Sequence, residues 1–462
     1  MGNYDFDSAV IGGGSAGYAT ARTTAAAGKR TVIIEAGGEL GGLCILRGCM
    51  PTKALLHAAD VRHQARRSSI WGLKPDEVSF DFAAVMRRKA AMVEEFASYR
   101  RGQLQDGRFE LIRALARFRD PHTLELDNGK AVTAEHIMIC TGSRVAELPL
   151  PGLTKLGCIT SDDALGLESL PKSIIVLGGG AVALEFAQFF ARFDVEVTLL
   201  QRSPHILKAF DDDGAGEVEA AFRAEGITVH TGCSLMDARH DGNEKMVVYE
   251  RDGVQHEVRA EAVFHGLGRS PNTGSLALEN GGVETERGRI LCDTHMRTST
   301  PHIYAGGDCT GPHEIVHIAI QQGEVAAHNI LHPGGLRSMD YRLLISVVFT
   351  DPQAATVGLT EKAAKARGIP YRAASYPFND HGKSIIMDSM HGFVKLLCDP
   401  LSGEILGGAC VGPMGGELIH EIVTAMAKRM TVAELAAVPH YHPTLAEIWT
   451  YPAEELAEKI TG

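Results

Sequence analysis

Two cysteines, Cys44 and Cys49, stand close together near the start of the chain, and their residue types and spacing suggest redox chemistry. The four residues between them predict a short loop, so the two Cα atoms can lie within the roughly 4.4–6.8 Å that a disulfide needs. Pro51 predicts the first turn of a helix directly after Cys49, and a helix N-terminus favours a reactive thiolate. The pair is interpreted as a redox-active dithiol. A structural bridge, or two unrelated core thiols, remains the alternative.

A glycine-rich turn precedes the cysteines and predicts a dinucleotide site. A strand-like segment runs into Gly12, Gly14 and Gly17, which have GxGxxG spacing, and then into an alanine-rich stretch. Glu35 closes the next strand-like segment, at the distance expected of an acid that binds ribose hydroxyls. A cysteine pair just past such a unit suggests a dithiol that exchanges electrons with the bound cofactor.

The chain repeats this unit further on. A second buried-strand pattern leads into Gly178, Gly180 and Ala183, where alanine replaces the third glycine as the fingerprint allows. The distance from Gly178 to the next strand end, at Gln201, equals that in the first copy. A single GxGxxG is weak evidence, because glycine-rich turns also serve plain strand–helix packing. Two copies in the same register predict two dinucleotide-binding units.

Length and composition limit the possible classes of protein. A chain of 462 residues predicts about three domains. A net charge of −12 without a basic stripe argues against a nucleic-acid partner. The nine cysteines are spread thinly, which indicates a reducing compartment. No signal-like start and no long apolar run is seen, so a cytoplasmic protein without a membrane partner is expected.

Composition shifts along the chain predict its organisation. The proline-rich stretch 148–152 predicts a linker before the second dinucleotide unit, and residues 266–272 predict its exit. Residues 82–118 are expected to be mostly helical. Beyond about residue 340, strand and helix patterns mix without a third glycine fingerprint. The predicted fold class is α/β, with two Rossmann-like dinucleotide-binding domains and a C-terminal α+β domain.

These features together resemble the FAD-dependent pyridine nucleotide–disulfide oxidoreductases, the family of glutathione reductase, dihydrolipoyl dehydrogenase and mercuric reductase. The resemblance covers essentially the whole chain. It is carried by the cysteine segment 41–53, the turn 140–143, the segment 303–309 and the His-Pro-Thr segment 440–447. It implies an FAD-binding domain at 1–150 and 276–340, an NAD(P)-binding domain at 151–275, and a C-terminal interface domain at 341–462.

The resemblance implies cofactor-binding roles for two sets of residues. The first set is Gly12, Gly14, Gly17, Glu35, Gly42, Thr141, Gly142, Asp308 and Val316. The second set is Gly178, Gly180, Ala183, Arg202, Lys208 and Gly268. The first glycine turn would approach the FAD pyrophosphate, and Asp308 would hold the flavin ribityl chain.

The resemblance also implies catalytic roles. Cys49 would receive electrons from the flavin, and Cys44 would attack the substrate disulfide through a mixed disulfide. His442 would protonate the departing thiolate, and Glu447 would orient its imidazole. Taken alone, these last two residues would favour a turn histidine and a surface carboxylate. By analogy the His–Glu segment reaches the flavin site of the other subunit, which implies a homodimer with a shared active site.

Lys53 and Glu185 resemble a buried ion pair beside the reacting edge of the flavin. A positive charge at that edge would favour the reduced, anionic flavin ring. Two unrelated charges on helix surfaces remain the alternative. No metal site is expected from the sequence.

The second unit differs from the first in a way that bears on the nicotinamide cofactor. Gln201 stands where an NAD site places an acid, and Arg202 and Lys208 follow it. A carboxylate there would repel a 2′-phosphate, whereas two cations attract it. NADPH is therefore favoured over NADH. The sequence predicts an NADPH-dependent flavoprotein that reduces a low-molecular-weight disulfide.

Substrate identity is left open by the sequence. The alternatives are an NAD-linked dihydrolipoyl dehydrogenase, a mercuric reductase-like enzyme and a redox-sensing flavoprotein. Mercury reduction is disfavoured because the last cysteine is Cys410, which leaves no vicinal pair at the C-terminus. Arg47, between the two cysteines, is hypothesised to favour a disulfide that bears carboxylates. An outward-facing arginine with no such role is the alternative.

Overall fold

The computed structural model describes residues 4–36, 38–75, 77–311 and 313–461. The chain divides into two units. The first contains the described residues up to Leu55, together with Ala83–Glu147 and Gly268–Met339. The second contains Leu56–Phe82, Leu148–Leu267 and the described residues from Asp340 onwards. The functional domain boundaries expected from the sequence stay predictions.

A largely parallel sheet forms the centre of the first unit. Its parallel strands run in the order Glu110–Ile112, Thr31–Ile34, Phe6–Ile11, Ala131–Ile139 and Ile303–Ala305. The start of Ala131–Ile139 also pairs antiparallel with Thr123–Leu126, which in turn pairs with Ala116–Asp120. The central strands are rich in valine and isoleucine that are fully buried, as expected of a parallel sheet covered on both faces.

Helices and two short strand pairs complete the first unit. The helices are Ser15–Ala26, Gly42–Arg47, Cys49–Arg67, which continues into the second unit, Phe82–Leu104 and Val316–Leu331. The strand pairs are Ser143–Val145 with Arg269–Pro271, and Thr285–Glu286 with Arg289–Ile290.

The helical prediction for residues 82–118 was right only as far as Leu104. The strands Glu110–Ile112 and Ala116–Asp120 follow the helix. In the second of these strands Ala116 and Phe118 are buried, and Arg117 and Arg119, which alternate with them, are exposed. This alternation has the period of a strand. In the sequence alone, the arginines on the outer face of the strand resemble the polar face of a helix, which is why the helical prediction extended too far.

The second unit contains three sheets. The parallel sheet has the order Thr228–His230, Glu196–Leu200, Ser173–Leu177 and Ala262–His265. An antiparallel meander consists of Ser234–Asp241, Glu244–Arg251 and Val254–Ala260. The five-stranded antiparallel sheet has the order Ile345–Val348, Gln353–Gly358, Ile405–Gly412, Phe393–Cys398 and Arg372–Pro377.

The second unit also contains helices. They are Pro151–Lys155, Ser161–Ala164, Ala181–Arg192, Asp212–Ala224, Glu361–Arg367, Gly382–Ile386, Gly415–Ala427, Val432–Ala436 and Thr450–Thr461. Trp449 and Phe378 are fully buried in the core of the five-stranded sheet. The predicted α/β fold class is confirmed, with a glycine turn after a parallel strand in each unit. Among the described helices, none has the length and apolar character required to cross a bilayer.

Candidate functional site

Cys44 and Cys49 lie in the first unit, and both are partly buried. A hydrogen bond with Cys49, followed by burial, raises the pKa of Cys44 well above its usual range, and the nearby charge of Lys53 opposes this shift. A thiol that donates to a neighbouring sulfur holds its proton more tightly, and burial disfavours the thiolate. Cys44 is therefore protonated at neutral pH, and it needs a base before it can act as a nucleophile.

The segment between the cysteines is helical, so the predicted loop was wrong. The helix Gly42–Arg47 carries Cys44 in its first turn, and the helix Cys49–Arg67 begins at Cys49 itself. Gly48 separates the two helices. A Cβ at this position would lie 3.1 Å from the Cα of Cys44, so the absence of a side chain allows the backbone to return against Cys44.

The first glycine turn needs its glycines for two different reasons. A Cβ at Gly12 would lie 2.4 Å from the carbonyl oxygen of Cys140, and its φ is +101°. A Cβ at Gly17 would lie 1.8 Å from the carbonyl oxygen of Gly12. Gly14 has open space around its Cβ position and precedes the helix Ser15–Ala26. Two glycines therefore close the turn, and the third leaves backbone open to a ligand.

The residues around this turn fit a dinucleotide such as FAD. The helix Ser15–Ala26 has Gly14 as its N-cap and no side-chain cap, which leaves N–H groups that suit a pyrophosphate. Glu35 follows a parallel strand, and its Oε2 accepts a hydrogen bond from Gly13 N at 2.5 Å. The helix Gly42–Arg47, which carries Cys44, approaches the turn closely at Gly42, because a Cβ at Gly42 would lie 2.9 Å from the Cα of Gly14.

Four other predicted cofactor residues follow strands of the same sheet or begin a helix next to it. Thr141 and Gly142 follow the strand Ala131–Ile139, and Gly142 has a φ of +69°. Asp308 begins a 3-10 turn shortly after the strand Ile303–Ala305, and Val316 begins a long helix. Ligands of open parallel sheets bind beyond the carboxyl ends of the strands, which is where the first three of these residues lie.

Asp308 is held by a short chain of hydrogen bonds within the first unit. The Ser143 hydroxyl donates to Asp308 Oδ2 at 2.6 Å, and Arg269 Nε donates to the same hydroxyl at 2.7 Å. Gly268, beside Arg269, has a φ of +106°, and its carbonyl accepts a hydrogen bond from Ala146 N at 3.0 Å. The carboxylate of Asp308 is thus oriented by side chains from two other segments.

The second glycine turn repeats the geometry of the first. A Cβ at Gly178 would lie 2.4 Å from the carbonyl oxygen of Gly266, and its φ is +111°. Gly180 has open space around its Cβ position and precedes the helix Ala181–Arg192 without a side-chain cap. Ala183 is fully buried, and a Cβ at Gly266 would lie 2.7 Å from its Cβ. The residues present fit a second dinucleotide.

Arg202 and Lys208 lie on the loop that follows the strand Glu196–Leu200, and both are exposed. The backbone of this loop is tied to the glycine turn by a hydrogen bond of 2.8 Å from Leu207 N to the carbonyl oxygen of Gly179. Two cations therefore lie on a loop that is attached to the second glycine turn.

Lys53 and Glu185 belong to different units, and their predicted pairing stays a prediction. Lys53 is partly buried in the first turns of the helix Cys49–Arg67, and its charge acts on Cys44. Glu185 is buried, and its Oε1 accepts a hydrogen bond from Phe349 N at 3.0 Å. A buried carboxylate without donors would be strongly destabilising, so this bond helps to keep it in place.

His442 and Glu447 lie together in the second unit. His442 Nδ1 is 3.0 Å from Glu447 Oε2 and 3.2 Å from Oε1. The histidine side chain is 79% exposed, whereas that of the glutamate is 11% exposed. Because Nδ1 is hydrogen-bonded to the Glu447 carboxylate, Nε2 is the ring nitrogen that can exchange a proton with another molecule. In this arrangement the buried carboxylate of Glu447 orients the exposed imidazole of His442, which can act as an acid or a base.

Sequence reasoning missed a second histidine beside the same carboxylate. His381 is fully buried, and its Nε2 lies 3.4 Å from Glu447 Oε1. It lies far from Glu447 in the sequence and belongs to no recognised motif, so no local signal could have found it. Another pair, His440 Nε2 with Glu421 Oε1 at 2.6 Å, also lies in this unit.

Among the described residues, His63, Glu225 and Asp351 form the group whose ligand atoms could surround a metal ion, within 4.8 Å of one another. Arg192, with a side chain only 2% exposed, donates to Glu225 at 2.6 and 2.9 Å and to Asp351 at 2.8 Å. The guanidinium supplies the positive charge that a cation would bring to these carboxylates. The expectation of no metal site stays a prediction.

Two family models match the chain. The pyridine nucleotide-disulphide oxidoreductase model matches residues 6–323. The dimerisation-domain model of the same family matches residues 344–453.

Individual proteins are also similar to the chain over nearly its whole length. It is 35% identical to a dihydrolipoyl dehydrogenase of Geobacillus stearothermophilus, over 98% of this chain and 96% of that protein. It is 32% identical to a mercuric reductase of Bacillus cereus, over 96% of this chain and 70% of that protein. The HOCl-induced flavoprotein disulfide reductase RclA from Escherichia coli has a similar structure, with a TM-score of 0.85 and 28% identity over 97% of this chain and 99% of that one.

Proposed function

The chain belongs to the pyridine nucleotide-disulphide oxidoreductase family, and we propose that it is an NADPH-dependent reductase of a low-molecular-weight disulfide. As a member of the family it is an FAD-dependent oxidoreductase that acts on sulfur groups and uses a nicotinamide cofactor. The observation that carries the proposal is the dithiol of Cys44 and Cys49 on a segment that packs against the first glycine turn.

The proposed reaction moves two electrons from NADPH to the substrate disulfide. The chemistry that bound FAD supplies is the transfer of these electrons from the nicotinamide to the cysteine pair. Cys44 attacks one substrate sulfur, so that a Cys44–substrate disulfide forms and the substrate S–S bond breaks. Cys49 then attacks the Cys44 sulfur, which forms the Cys44–Cys49 disulfide and releases the second substrate thiolate. One proton from solvent completes the two product thiols.

The raised pKa of Cys44 gives His442 a defined task. Attack requires the Cys44 thiolate, so a base must accept its proton, and the first departing thiolate requires a proton in return. We assign both transfers to His442 Nε2, with Glu447 stabilising the charged ring between them. The exposed position of His442 and the dimerisation-domain match support a homodimer in which His442 of one subunit serves the cysteine pair of the other.

The preference for NADPH is proposed from the charges on the second unit. Arg202 and Lys208 are exposed on the loop attached to the second glycine turn, and Gln201 replaces the acid of an NAD site. A ribose 2′-phosphate would gain two charge-assisted contacts there. NAD-linked oxidation of dihydrolipoamide is the second candidate function. It is favoured by the identity to a dihydrolipoyl dehydrogenase over nearly the whole chain.

Arg47 supports a proposal on the class of disulfide. Residues three apart on a helix share a face, so Arg47 lies on the same face of the helix Gly42–Arg47 as Cys44. Its side chain is exposed, so a substrate that reaches the Cys44 sulfur would pass within reach of the guanidinium. We therefore propose that disulfides bearing carboxylates are the preferred substrates.

Steady-state turnover of the purified flavoprotein tests the proposed function. NADPH and NADH should each be combined with lipoamide, glutathione disulfide, other carboxylated disulfides and Hg(II). Efficient NADPH-driven turnover of a disulfide other than lipoamide supports the proposal. Rapid lipoamide chemistry with NAD(H) alone would establish the second candidate instead.

The variant Cys44→Ser tests the assigned roles of the cysteines. It should abolish disulfide turnover and leave the bleaching of the flavin by NADPH at close to the wild-type rate. Cys158→Ser serves as the matched control, because Cys158 is a partly buried thiol whose Sγ donates a hydrogen bond to the backbone carbonyl of Leu153. Loss of flavin bleaching in Cys44→Ser would contradict the assignment.

A further inference from the structure

His381 is a buried imidazole on the segment between the strand Arg372–Pro377 and the helix Gly382–Ile386. Its Nδ1 lies 2.8 Å from the hydroxyl of Ser384. A fully buried imidazole needs partners for its ring nitrogens, and Ser384 supplies one of them. The orientation of the ring is therefore fixed from one side, and the question is what the other nitrogen contacts.

The other nitrogen faces the carboxylate that holds His442. His381 Nε2 is 3.4 Å from Glu447 Oε1, and His442 Nδ1 is 3.0 Å from Glu447 Oε2. The carboxylate therefore lies between a buried imidazole and an exposed one. The separation on the His381 side is longer than a normal hydrogen bond, and such bonds in enzymes often shorten only when substrate binds.

The hydrogen-bond network decides which tautomer of His381 fits. If the Ser384 hydroxyl donates to Nδ1, the ring carries its proton on Nε2 and presents it to Glu447. The opposite tautomer would direct a lone pair at a carboxylate. Burial lowers the pKa of His381, and the charge of Glu447 opposes this shift only in part. The ring is consequently neutral at pH 7, so it can donate without adding a charge.

We propose that His381 is a positioning residue that holds the Glu447 carboxylate in line with His442. The inference rests on the proposed function, because it gives His442 the proton transfers described above. A buried carboxylate with a single donor can rotate about its last torsion, and a second donor on its far side limits that rotation. Through Glu447, His381 thus keeps the imidazole of His442 directed at the substrate sulfur.

Besides Glu447, the backbone carbonyl of Thr444 accepts a hydrogen bond from the His381 ring, and it lies on the same segment as His442 and Glu447. The titratable groups that act on it are Glu447 and His442, and the ring of Tyr451 lies 6.4 Å from it edge-on. Phe378 contributes an apolar edge at 6.4 Å. A purely structural role would require only that this space be filled. A positioning role requires the Nε2–H donor, and substitution can separate the two requirements.

The test compares His381→Leu, which fills space without a donor, with His381→Gln, which keeps a donor. Reduced enzyme is mixed in a stopped-flow instrument with a disulfide that the enzyme accepts as a substrate, and the rate of flavin reoxidation is measured across a range of pH values. His381→Leu should slow this step by about fivefold and shift the alkaline limb of its pH profile, while flavin reduction by NADPH is unchanged. His381→Gln should recover most of the rate. His420→Leu is the control for the loss of a histidine elsewhere in the same unit, at an exposed imidazole whose Nδ1 lies 2.9 Å from the Gly416 carbonyl.

Equal rates and equal pH profiles for His381→Leu and His381→Gln would overturn the inference. If His381→Leu does not fold, Ser384→Ala tests the same idea, since it frees the ring to change tautomer and should give a smaller slowing in the same step. An unchanged pH profile in that variant would also overturn it. His442→Gln separates the two proposals. If this variant still reduces the disulfide, the proposed role of His442 fails. If it loses disulfide reduction while His381→Leu keeps the wild-type rate and pH profile, only the inference about His381 is refuted.

Discussion

The charge of Glu447 is expected to speed the half-reaction that reduces the disulfide, and Glu447→Gln isolates that charge. Glutamine keeps an oxygen acceptor for His442 Nδ1, so the orientation of the ring is largely retained while the negative charge is lost. The imidazole is charged between the two proton transfers assigned to it. The variant should therefore slow only the steps in which His442 carries that charge.

The magnitude follows from distance and exposure. Two unit charges about 4 Å apart interact by about 1 kcal/mol in water and about 4 kcal/mol at the effective dielectric of a protein surface. His442 is 79% exposed and Glu447 is 11% exposed, so the pair lies closer to the aqueous limit. A loss of about 1–2 kcal/mol corresponds to a rate that is about 5- to 30-fold lower.

A two-part stopped-flow assay measures this effect. NADPH is first mixed with oxidised enzyme to follow flavin reduction, and disulfide is then mixed with reduced enzyme to follow reoxidation. Glu447→Gln should change only the second rate. Glu421→Gln is the matched control, because it removes a carboxylate 2.6 Å from a different histidine, His440. Equal losses in the two variants, or an equal loss in both half-reactions, would refute the reasoning.

Four further predictions concern other parts of the chain. Arg47→Val should raise KM about tenfold for carboxylated disulfides and leave KM for neutral ones unchanged, and equal changes in both would contradict the contact. Arg202→Ala combined with Lys208→Ala should lower kcat/KM for NADPH at least tenfold while NADH turnover is retained; a parallel loss for NADH would argue against 2′-phosphate binding. Gly12→Ala should yield protein purified with little flavin, measured by its visible absorbance, because a Cβ there would lie 2.4 Å from a carbonyl oxygen; normal flavin content would be inconsistent with this geometry. Arg192→Leu should lower the free energy of unfolding in urea by about 3–5 kcal/mol, since its carboxylate partners lose a buried cation, and a loss below about 1 kcal/mol would show that they rearrange.

Much of this protein is determined by short-range patterns in the sequence. The two glycine turns could be located because a GxGxxG spacing places backbone and helix N-terminus at fixed positions relative to a preceding strand. The helix start at Cys49 could be predicted from Pro51, because proline is suited to a first helical turn. The same patterns, taken with the His442–Glu447 segment, were sufficient to identify the family.

Tertiary structure decided what depends on residues distant in the chain. The helix Gly42–Arg47 has too few residues for a periodicity that could predict it, and its close approach to Gly48, where a Cβ would lie 3.1 Å from the Cα of Cys44, is visible only in the folded chain. The position of His381 behind Glu447 arises from the packing of a segment far away in sequence. Local spacing thus determined which chemistry the residues can perform. The surroundings of each group, and hence its proton affinity and orientation, were decided only by the folded chain, because burial and long-range contacts set both.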